Sequence, residues 1–136
     1  MAHWLVKEEP THYGFDDLVR DGGTVWNGVH NALALRHLKA MRRGDDGFYY
    51  HTGDERAIVA TFRVAGAPEP DPEDDRGSWR VKIRPGKRLA RPVSLAELRR
   101  DPVMRGFDLV RISRLSIMPV PEPIWDRVLQ RAGTPP

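Results

Sequence analysis

Short apolar runs along the chain predict β-strands. Five such runs, rich in aromatic and β-branched residues, cover residues 3–6, 47–52, 57–64, 78–84 and 114–120. Only a short turn separates the second run from the third, so these two are expected to pair as a hairpin. In the fourth run apolar and basic residues alternate, which predicts a half-buried strand with a basic outer face.

Helices are predicted between these strands. The stretches concerned are residues 15–20, 31–41, 94–98 and 121–131. The second carries apolar residues at three- and four-residue spacing, and Asn31 is placed to cap it by accepting a bond from a backbone N–H of the first turn. The third begins with a Ser94–Glu97 capping box.

Two loops stand out from this pattern. Residues 25–31, Val-Trp-Asn-Gly-Val-His-Asn, predict an exposed loop that leads directly into the second helix. Residues 66–77 contain three prolines and five acidic residues, which predicts a solvated and mobile loop. Calcium binding is the alternative for these acids, but the prolines do not fit an EF-hand pattern.

Together these elements predict an α+β fold. About five strands, paired consecutively as hairpins, would form a curled sheet or small barrel with the helical pieces packed outside. A length of 136 residues predicts a single domain, residues 1–136, with enough surface to bury one core.

Composition narrows the class of protein. The chain has no cysteine, which excludes disulfides and thiolate chemistry and fits the cytoplasm. No apolar run is long enough for a membrane span, and the N-terminus lacks the apolar core of a signal peptide. We therefore expect a soluble, cytoplasmic protein with no membrane partner. The net charge of +3 permits an anionic partner such as nucleic acid without requiring one.

Catalytic signals are weak. The five histidines show no metal-ligand spacing, and there is neither a nucleophile elbow nor a phosphate-binding glycine loop, so we expect no metal and no cofactor. His51 with Glu9 is kept as a candidate acid–base pair, because residues that act together in space need no fixed spacing.

A binding site for a flat polar ligand is better supported. Trp26, Tyr49 and Tyr50 offer aromatic faces on which a base can stack, although Trp26 could equally be a core residue. One of the two tyrosines must be core, since neighbours in a strand alternate, and we place Tyr50 nearer the pocket together with His51. The amide of Asn31 can donate and accept, as the edge of a base requires.

Cations alternate along one predicted strand. Arg80, Lys82 and Arg84 would share its outer face. Such a row can follow a phosphate backbone, and it can also be no more than the solvent side of a strand.

Several motifs in order along the chain resemble the EVE domain family of the PUA-like superfamily, which is related to YTH domains. The matching segments are residues 4–10 (WLVKEEP), 26–31 (WNGVHN), 48–52 (FYYHT), 92–95 (PVSL) and 114–120 (RLSIMPV). They span nearly the whole chain, so the protein is identified as a bacterial member of this family.

The resemblance implies a pseudo-barrel with a non-catalytic pocket that recognises a modified base, either C5-modified cytosine or methylated adenine, in DNA or RNA. It implies extrusion of that base from a duplex, and it suggests a nuclease or another effector protein as partner of a monomer. With neighbouring positions added, the expected ligand-binding residues are Lys7, Glu9, Trp26, Gly28, Val29, His30, Asn31, Tyr50, His51, Thr52 and Ser116. The expected contacts to the nucleic-acid backbone are Arg36, Arg80, Lys82 and Arg84.

The chain departs from the family at several of these positions. The family usually has Ser at the positions of Glu8 and Thr52, an acid at Asn27, and Arg at His30. It also has an aromatic residue or Pro, followed by Gln, where this chain has residues 32–33. The identity of the modified base therefore does not transfer directly from the family.

Overall fold

A mixed seven-stranded sheet, curled into a half-barrel, is the centre of the structure. The computed structural model describes residues 1–134. The strands are β1 His3–Glu8, β2 Thr24–Trp26, β3 Asp46–His51, β4 Ala57–Val64, β5 Glu69–Pro70, β6 Trp79–Ser94 and β7 Ile117–Pro119. Their order is β2-β6-β4-β3-β1-β7, with β5 paired to β6. The predicted α+β pseudo-barrel is confirmed.

Helices pack outside the sheet. They are α1 Pro10–Tyr13, α2 Phe15–Asp21, α3 Ala32–Ala40, α4 Leu95–Arg99, α5 Asp108–Arg111 and α6 Glu122–Ala132, with a 3-10 helix at Pro102–Gly106. None of these helices has both the length and the apolar character needed to cross a bilayer.

The predicted helix caps are present with one difference. Asn31 accepts a hydrogen bond from the backbone N–H of Ala34 at 3.0 Å, as expected for the cap of α3. Ser94 accepts from the backbone N–H of Glu97 at 3.1 Å. The reciprocal half of that capping box is missing, because the Glu97 carboxylate binds Arg91 and Arg131 instead.

The pairing of β1 differs from the prediction. Consecutive strands were expected to form hairpins, which is correct for β3 and β4 but wrong for β1. β1 pairs with β3 in parallel and with β7 antiparallel, so its two neighbours come from distant parts of the sequence. A parallel pair needs a long crossover, and here residues 9–45, which include α1, α2, β2 and α3, supply it.

Strand number and length also differ. Seven strands form where about five were predicted, because β2 and β5, at 3 and 2 residues, are too short to show periodicity. β6 has 16 residues and continues through Pro85 and Pro92. The register between β4 and β6 shifts twice along this length, and irregular pairing of this kind tolerates proline. Gly86 lies at such a shift, where an added Cβ would be 2.3 Å from Thr61 Oγ1.

A buried carboxylate ties the N-terminal strand to the rest of the sheet. Asp45, which immediately precedes β3, accepts from the indole N–H of Trp4 at 3.0 Å and from the backbone N–H of Arg42 at 2.9 Å. The backbone N–H of Ala2 lies 3.4 Å from its other oxygen. These bonds fix the start of β1 beside β3, where the parallel pairing begins.

We expect Asp45→Asn to destabilise the fold by about 1–3 kcal/mol. The amide keeps the shape but replaces one accepting oxygen with a donor, so at least one of these three N–H groups loses its acceptor. Urea unfolding followed by tryptophan fluorescence measures the change. Asp46→Asn is the matched control, because the Asp46 ion pair with Arg63 is partly exposed and such pairs contribute little. Equal effects of the two substitutions would contradict the assignment.

Candidate functional site

A cleft of about 390 Å³ opens between the end of β1 and the loop that joins β2 to α3. Its lining combines one carboxylate with hydroxyl, amide, imidazole and aromatic groups. The lining residues are Glu8, His12, Tyr13, Thr24, Val25, Trp26, Asn27, Gly28, Val29, His30 and Ser116. No Lys or Arg is among them, so the cleft has no permanent cation.

Trp26 forms the aromatic wall of the cleft and also belongs to the core. It lies in β2 opposite Val81 and is only 8% exposed. Its ring meets Tyr49 edge-on, with ring centroids 5.9 Å apart at an interplanar angle of 85°. The two alternatives for Trp26, core or pocket, are therefore both correct. Residues 25 and 26, predicted to lie in an exposed loop, instead pair with β6 in the sheet.

The loop that follows Trp26 lines the cleft. Gly28 has a φ of 71°, a left-handed conformation that side chains rarely adopt. The backbone N–H groups of Gly28, Val29 and His30 have no acceptor among residues 1–134. They remain available to acceptor atoms of a ligand. The expected ligand residue Asn31 is instead occupied in capping α3.

The acidic loop at residues 66–77 is fastened to this site. His30 Nε2 lies 2.8 Å from Asp74 Oδ2, and the Ser78 hydroxyl donates to the carbonyl of Val29. Asp71 is buried and accepts from the backbone N–H of Glu73 at 3.0 Å. The prediction of a solvated, mobile loop therefore misses these contacts, because they depend on partners distant in sequence.

The opposite wall is polar. Glu8 Oε1 accepts from the backbone N–H of Glu9 at 3.0 Å and lies 3.1 Å from His12 Nδ1. The Tyr13 hydroxyl donates to Asp21 Oδ2 at 2.8 Å. Burial, followed by that hydrogen bond, raises the pKa of Tyr13.

His51 lies outside the cleft, contrary to expectation. It is 6% exposed, and both ring nitrogens are engaged. Nε2 accepts from the backbone N–H of Phe15 at 3.0 Å, so the proton is on Nδ1, which donates to Glu55 at 2.7 Å. In this arrangement His51 supports the first turn of α2.

Tyr49, not Tyr50, shares the side of the sheet occupied by Trp26. Tyr49 contacts Trp26 and His51 with its ring, and its hydroxyl donates to the carbonyl of Tyr13 at 2.8 Å. Tyr50 projects the other way, with Lys7 Nζ 5.9 Å from its ring centroid. Grouping Tyr50 with His51 was wrong, because adjacent strand residues point to opposite faces.

Other expected ligand residues also have partners elsewhere. The Glu9 carboxylate accepts from Thr11 at the start of α1 and lies against Gly53. Lys7 Nζ donates to the carbonyl of Ser113 at 3.2 Å, and burial lowers the pKa of this lysine. Thr52 donates its backbone N–H to the carbonyl of Glu8.

The structure thus brings together only some of the expected ligand residues. Those that line the cleft are Trp26, Gly28, Val29, His30 and Ser116. Those that do not are Lys7, Glu9, Asn31, Tyr50, His51 and Thr52. The sequence reasoning missed Glu8, His12, Tyr13 and Thr24; Val25 and Asn27 belong to the predicted loop 25–31 but were not among the expected ligand residues. Glu8 precedes Glu9, which the sequence analysis selected. Only the three-dimensional structure, with β1 paired in parallel to β3, shows that Glu8 and not Glu9 lines the cleft.

The expected phosphate contacts are not equivalent. Arg80 is paired with Glu69 at 2.9 Å and lies 3.8 Å from Asp71. Lys82 and Arg84 are exposed and have no ion-pair partner within residues 1–134. They line a second hollow of about 430 Å³ that shares Thr24 and Val25 with the cleft.

Arg36, the remaining expected contact, is exposed on α3. Among the expected backbone contacts, Lys82 and Arg84 are therefore the two that have no ion-pair partner within residues 1–134 and that line a hollow beside the cleft. A polyanion could follow them while one of its groups enters the cleft.

Comparison with known proteins is consistent with this fold. The EVE domain model matches residues 2–131. The solved structure of Rpa0253 from Rhodopseudomonas palustris is 39% identical, covers 98% of this chain and 94% of that chain, and has a TM-score of 0.92.

Two further structures were solved as complexes. Human THYN1 in complex with 5-methylcytosine-containing DNA is 25% identical, matches 100% of both chains and has a TM-score of 0.86. The sequence of human thymocyte nuclear protein 1 is 26% identical over 94% of this chain and 72% of its own length. The YTH domain of Zygosaccharomyces rouxii MRB1, in complex with N6-methyladenosine RNA, has a TM-score of 0.58 over 96% of this chain and 86% of that chain. At 13% identity that last likeness concerns the fold alone.

We expect His30→Ala to loosen the acidic loop. Loss of the contact to Asp74 should raise amide hydrogen exchange at Asp71, Asp74 and Gly77 roughly two- to fivefold, as for a partly exposed ion pair. Exchange measured by NMR tests this. His12→Ala is the control, since His12 lines the same cleft but binds Glu8. Unchanged exchange in His30→Ala would show that this contact does not hold the loop.

Proposed function

This chain belongs to the EVE domain family, and we propose that it is a non-catalytic binding module for a modified nucleobase in DNA or RNA. The base would be a C5-modified cytosine or a methylated adenine, held in the cleft beside Trp26. We further propose that the whole chain acts as one domain in this role.

The observation that carries the proposal is the chemistry of the cleft. Its volume of about 390 Å³ lies in the range of small-molecule sites. An aromatic wall, free backbone N–H groups and a carboxylate suit the face and the polar edge of a base. A phosphate would need cations, and no Lys or Arg lines the cleft.

The complex of human THYN1 with 5-methylcytosine-containing DNA supports a modified base as the ligand. Here a methyl group would contact Val25, Val29 or the ring of Trp26, which are the apolar parts of the lining. Burial of one methyl contributes about 0.8 kcal/mol, which alone gives only a few-fold preference. Closer packing around the methyl would have to supply any stronger discrimination.

The cations beside the cleft complete the proposal. A base in a duplex must leave its stack, at a cost of a few kcal/mol, before it can enter the cleft. Contacts of Lys82 and Arg84 to neighbouring phosphates would offset part of that cost. They have no ion-pair partner within residues 1–134, and the hollow that they line shares Thr24 and Val25 with the cleft.

The alternative of acid–base catalysis by Glu9 and His51 gains no support from this geometry. Both nitrogens of His51 are bound within the protein, and Glu9 caps a helix. A general base must reach the proton that it removes from the substrate. We therefore propose binding without turnover.

A substitution that fills the cleft should abolish recognition of the modified base. In Ser116→Tyr the added ring would occupy the space beside Trp26, whereas Ser113→Tyr, three residues earlier and exposed, should not. Fluorescence anisotropy with matched oligonucleotides, carrying plain or modified cytosine or adenine, measures the preference. We expect the wild type and Ser113→Tyr to prefer a modified base and Ser116→Tyr to show no preference. If the wild type itself shows none, the proposed function is wrong.

The salt dependence of binding should identify the phosphate contacts. Each cation that neutralises a phosphate of a single strand contributes about 0.7 to the slope of log affinity against log salt. We expect Lys82→Ala and Arg84→Ala each to lower the slope by about that amount, and Arg80→Ala to change it less, because Arg80 is already paired. An Arg80→Ala effect as large as the other two would show that its acidic partners release it on binding.

A further inference from the structure

We propose that Glu8 makes the cleft selective for bases with an exocyclic amine, cytosine and adenine, over bases with a carbonyl at the corresponding ring position. The excluded bases would be thymine, uracil and hypoxanthine. This inference rests on the proposed function and names the chemical class of base that the same cleft accepts.

The position of Glu8 is set by the sheet. It is the last residue of β1 and pairs with His51 of β3, and its side chain lines the cleft. Oε1 is occupied by the backbone N–H of Glu9 and by His12. Oε2 has no hydrogen-bond partner in the described part of the chain. One carboxylate oxygen is therefore held in place while the other is left to a ligand.

No lysine or arginine lines the cleft beside the Glu8 carboxylate. Its only ionic partner among residues 1–134 is His12, whose side chain is 77% exposed. The pKa of Tyr49 is raised mainly by burial of its hydroxyl and, second, by the negative charge of the Glu8 carboxylate. An ionised carboxylate can only accept hydrogen bonds, so a ligand group that contacts Glu8 must be a hydrogen-bond donor.

The rest of the cleft supplies the opposite polarity. The backbone N–H groups of Gly28, Val29 and His30 have no acceptor within the described residues and can donate to a base. Cytosine and adenine present an amine beside a ring nitrogen that accepts, which matches one acceptor and nearby donors. Thymine, uracil and hypoxanthine present a carbonyl beside a ring N–H, so in the same orientation their carbonyl would face the Glu8 carboxylate.

The size of the effect follows from base readout in general. A carboxylate that accepts from the N4 amine of cytosine is an established way to distinguish bases, and one good pair discriminates by about ten- to a hundredfold. The cost against a carbonyl arises because two acceptors would meet in a cleft that no Lys or Arg lines.

The test uses two pairs of bases in otherwise identical single-stranded oligonucleotides. 5-Methylcytosine and thymine share the C5 methyl and differ by an amine against a carbonyl, and adenine and hypoxanthine differ in the same way. Fluorescence anisotropy gives the ratio of dissociation constants within each pair. We expect the wild-type protein to bind the amine-bearing member about ten- to a hundredfold more tightly in at least one pair.

Substitutions then assign that ratio to Glu8. Glu8→Gln keeps the shape and an accepting oxygen for Glu9 but places an amide donor in the cleft, so the ratio should fall to about one or reverse. Glu8→Ser, with the residue usual in the family, should bring it toward one without reversal. Glu122→Gln is the matched control: Glu122 is exposed at the start of α6 and does not line the cleft.

The outcomes separate this inference from the proposed function. A preference for 5-methylcytosine over cytosine, with an amine-to-carbonyl ratio equal in wild type and Glu8→Gln, would overturn the role of Glu8 and leave the module as proposed. No amine preference in the wild type would also overturn it. If the wild type binds modified and plain bases equally, the proposed function fails and this inference with it. Thermal unfolding of each variant shows that a lost ratio is not lost folding.

Discussion

The parallel pairing of β1 with β3 is the constraint on which the site depends. It sets the register that places Glu8 beside His51. Tyr49, two residues before His51 on the same face of β3, contacts the ring of Trp26. The Asp45 carboxylate fixes the start of this pairing through the indole of Trp4. A slip of one residue would exchange Glu8 for Lys7 or Glu9 at the cleft, because successive side chains alternate between faces. The chemistry of the cleft is thus a consequence of register.

The second wall depends on a different strand. β6 is long enough to pair with both β4 and β2, and the shifts in its register let it curve while it does so. Its pairing with the three-residue β2 fixes Trp26 as a rigid part of the sheet, so that only the residues after it form a loop. That loop is held in turn by Ser78 and Asp74. A ligand would therefore meet a largely preformed surface, which lowers the entropic cost of binding.

What could be predicted from the sequence was local. The Asn31 cap, the Ser94 half of the capping box and the β3–β4 hairpin depend on residues a few positions apart, and these are present as expected. The strand β2 was missed because three residues show no period, and the parallel partner of β1 was missed because no local signal identifies a distant neighbour. The residue pattern predicted the α+β fold and selected Trp26, and the family resemblance added the pseudo-barrel. The residue pattern also selected His51, whose nitrogens are used inside the protein.

The cations Lys82 and Arg84 and the carboxylate of Glu8 lie in separate hollows. This separation bears on how one protein could bind a polyanion and still distinguish one neutral base from another. Cations inside the cleft would attract any phosphate, whatever base it carries, and binding would then report charge alone. Here Lys82 and Arg84 lie on the outer face of the β2–β6 edge, while a carboxylate lines the cleft. The carboxylate opposes entry of a phosphate, and the cations outside attract the strand to which the base belongs. Because β2 alone separates the two surfaces, affinity from the backbone and selection by the base would act together at a single nucleotide.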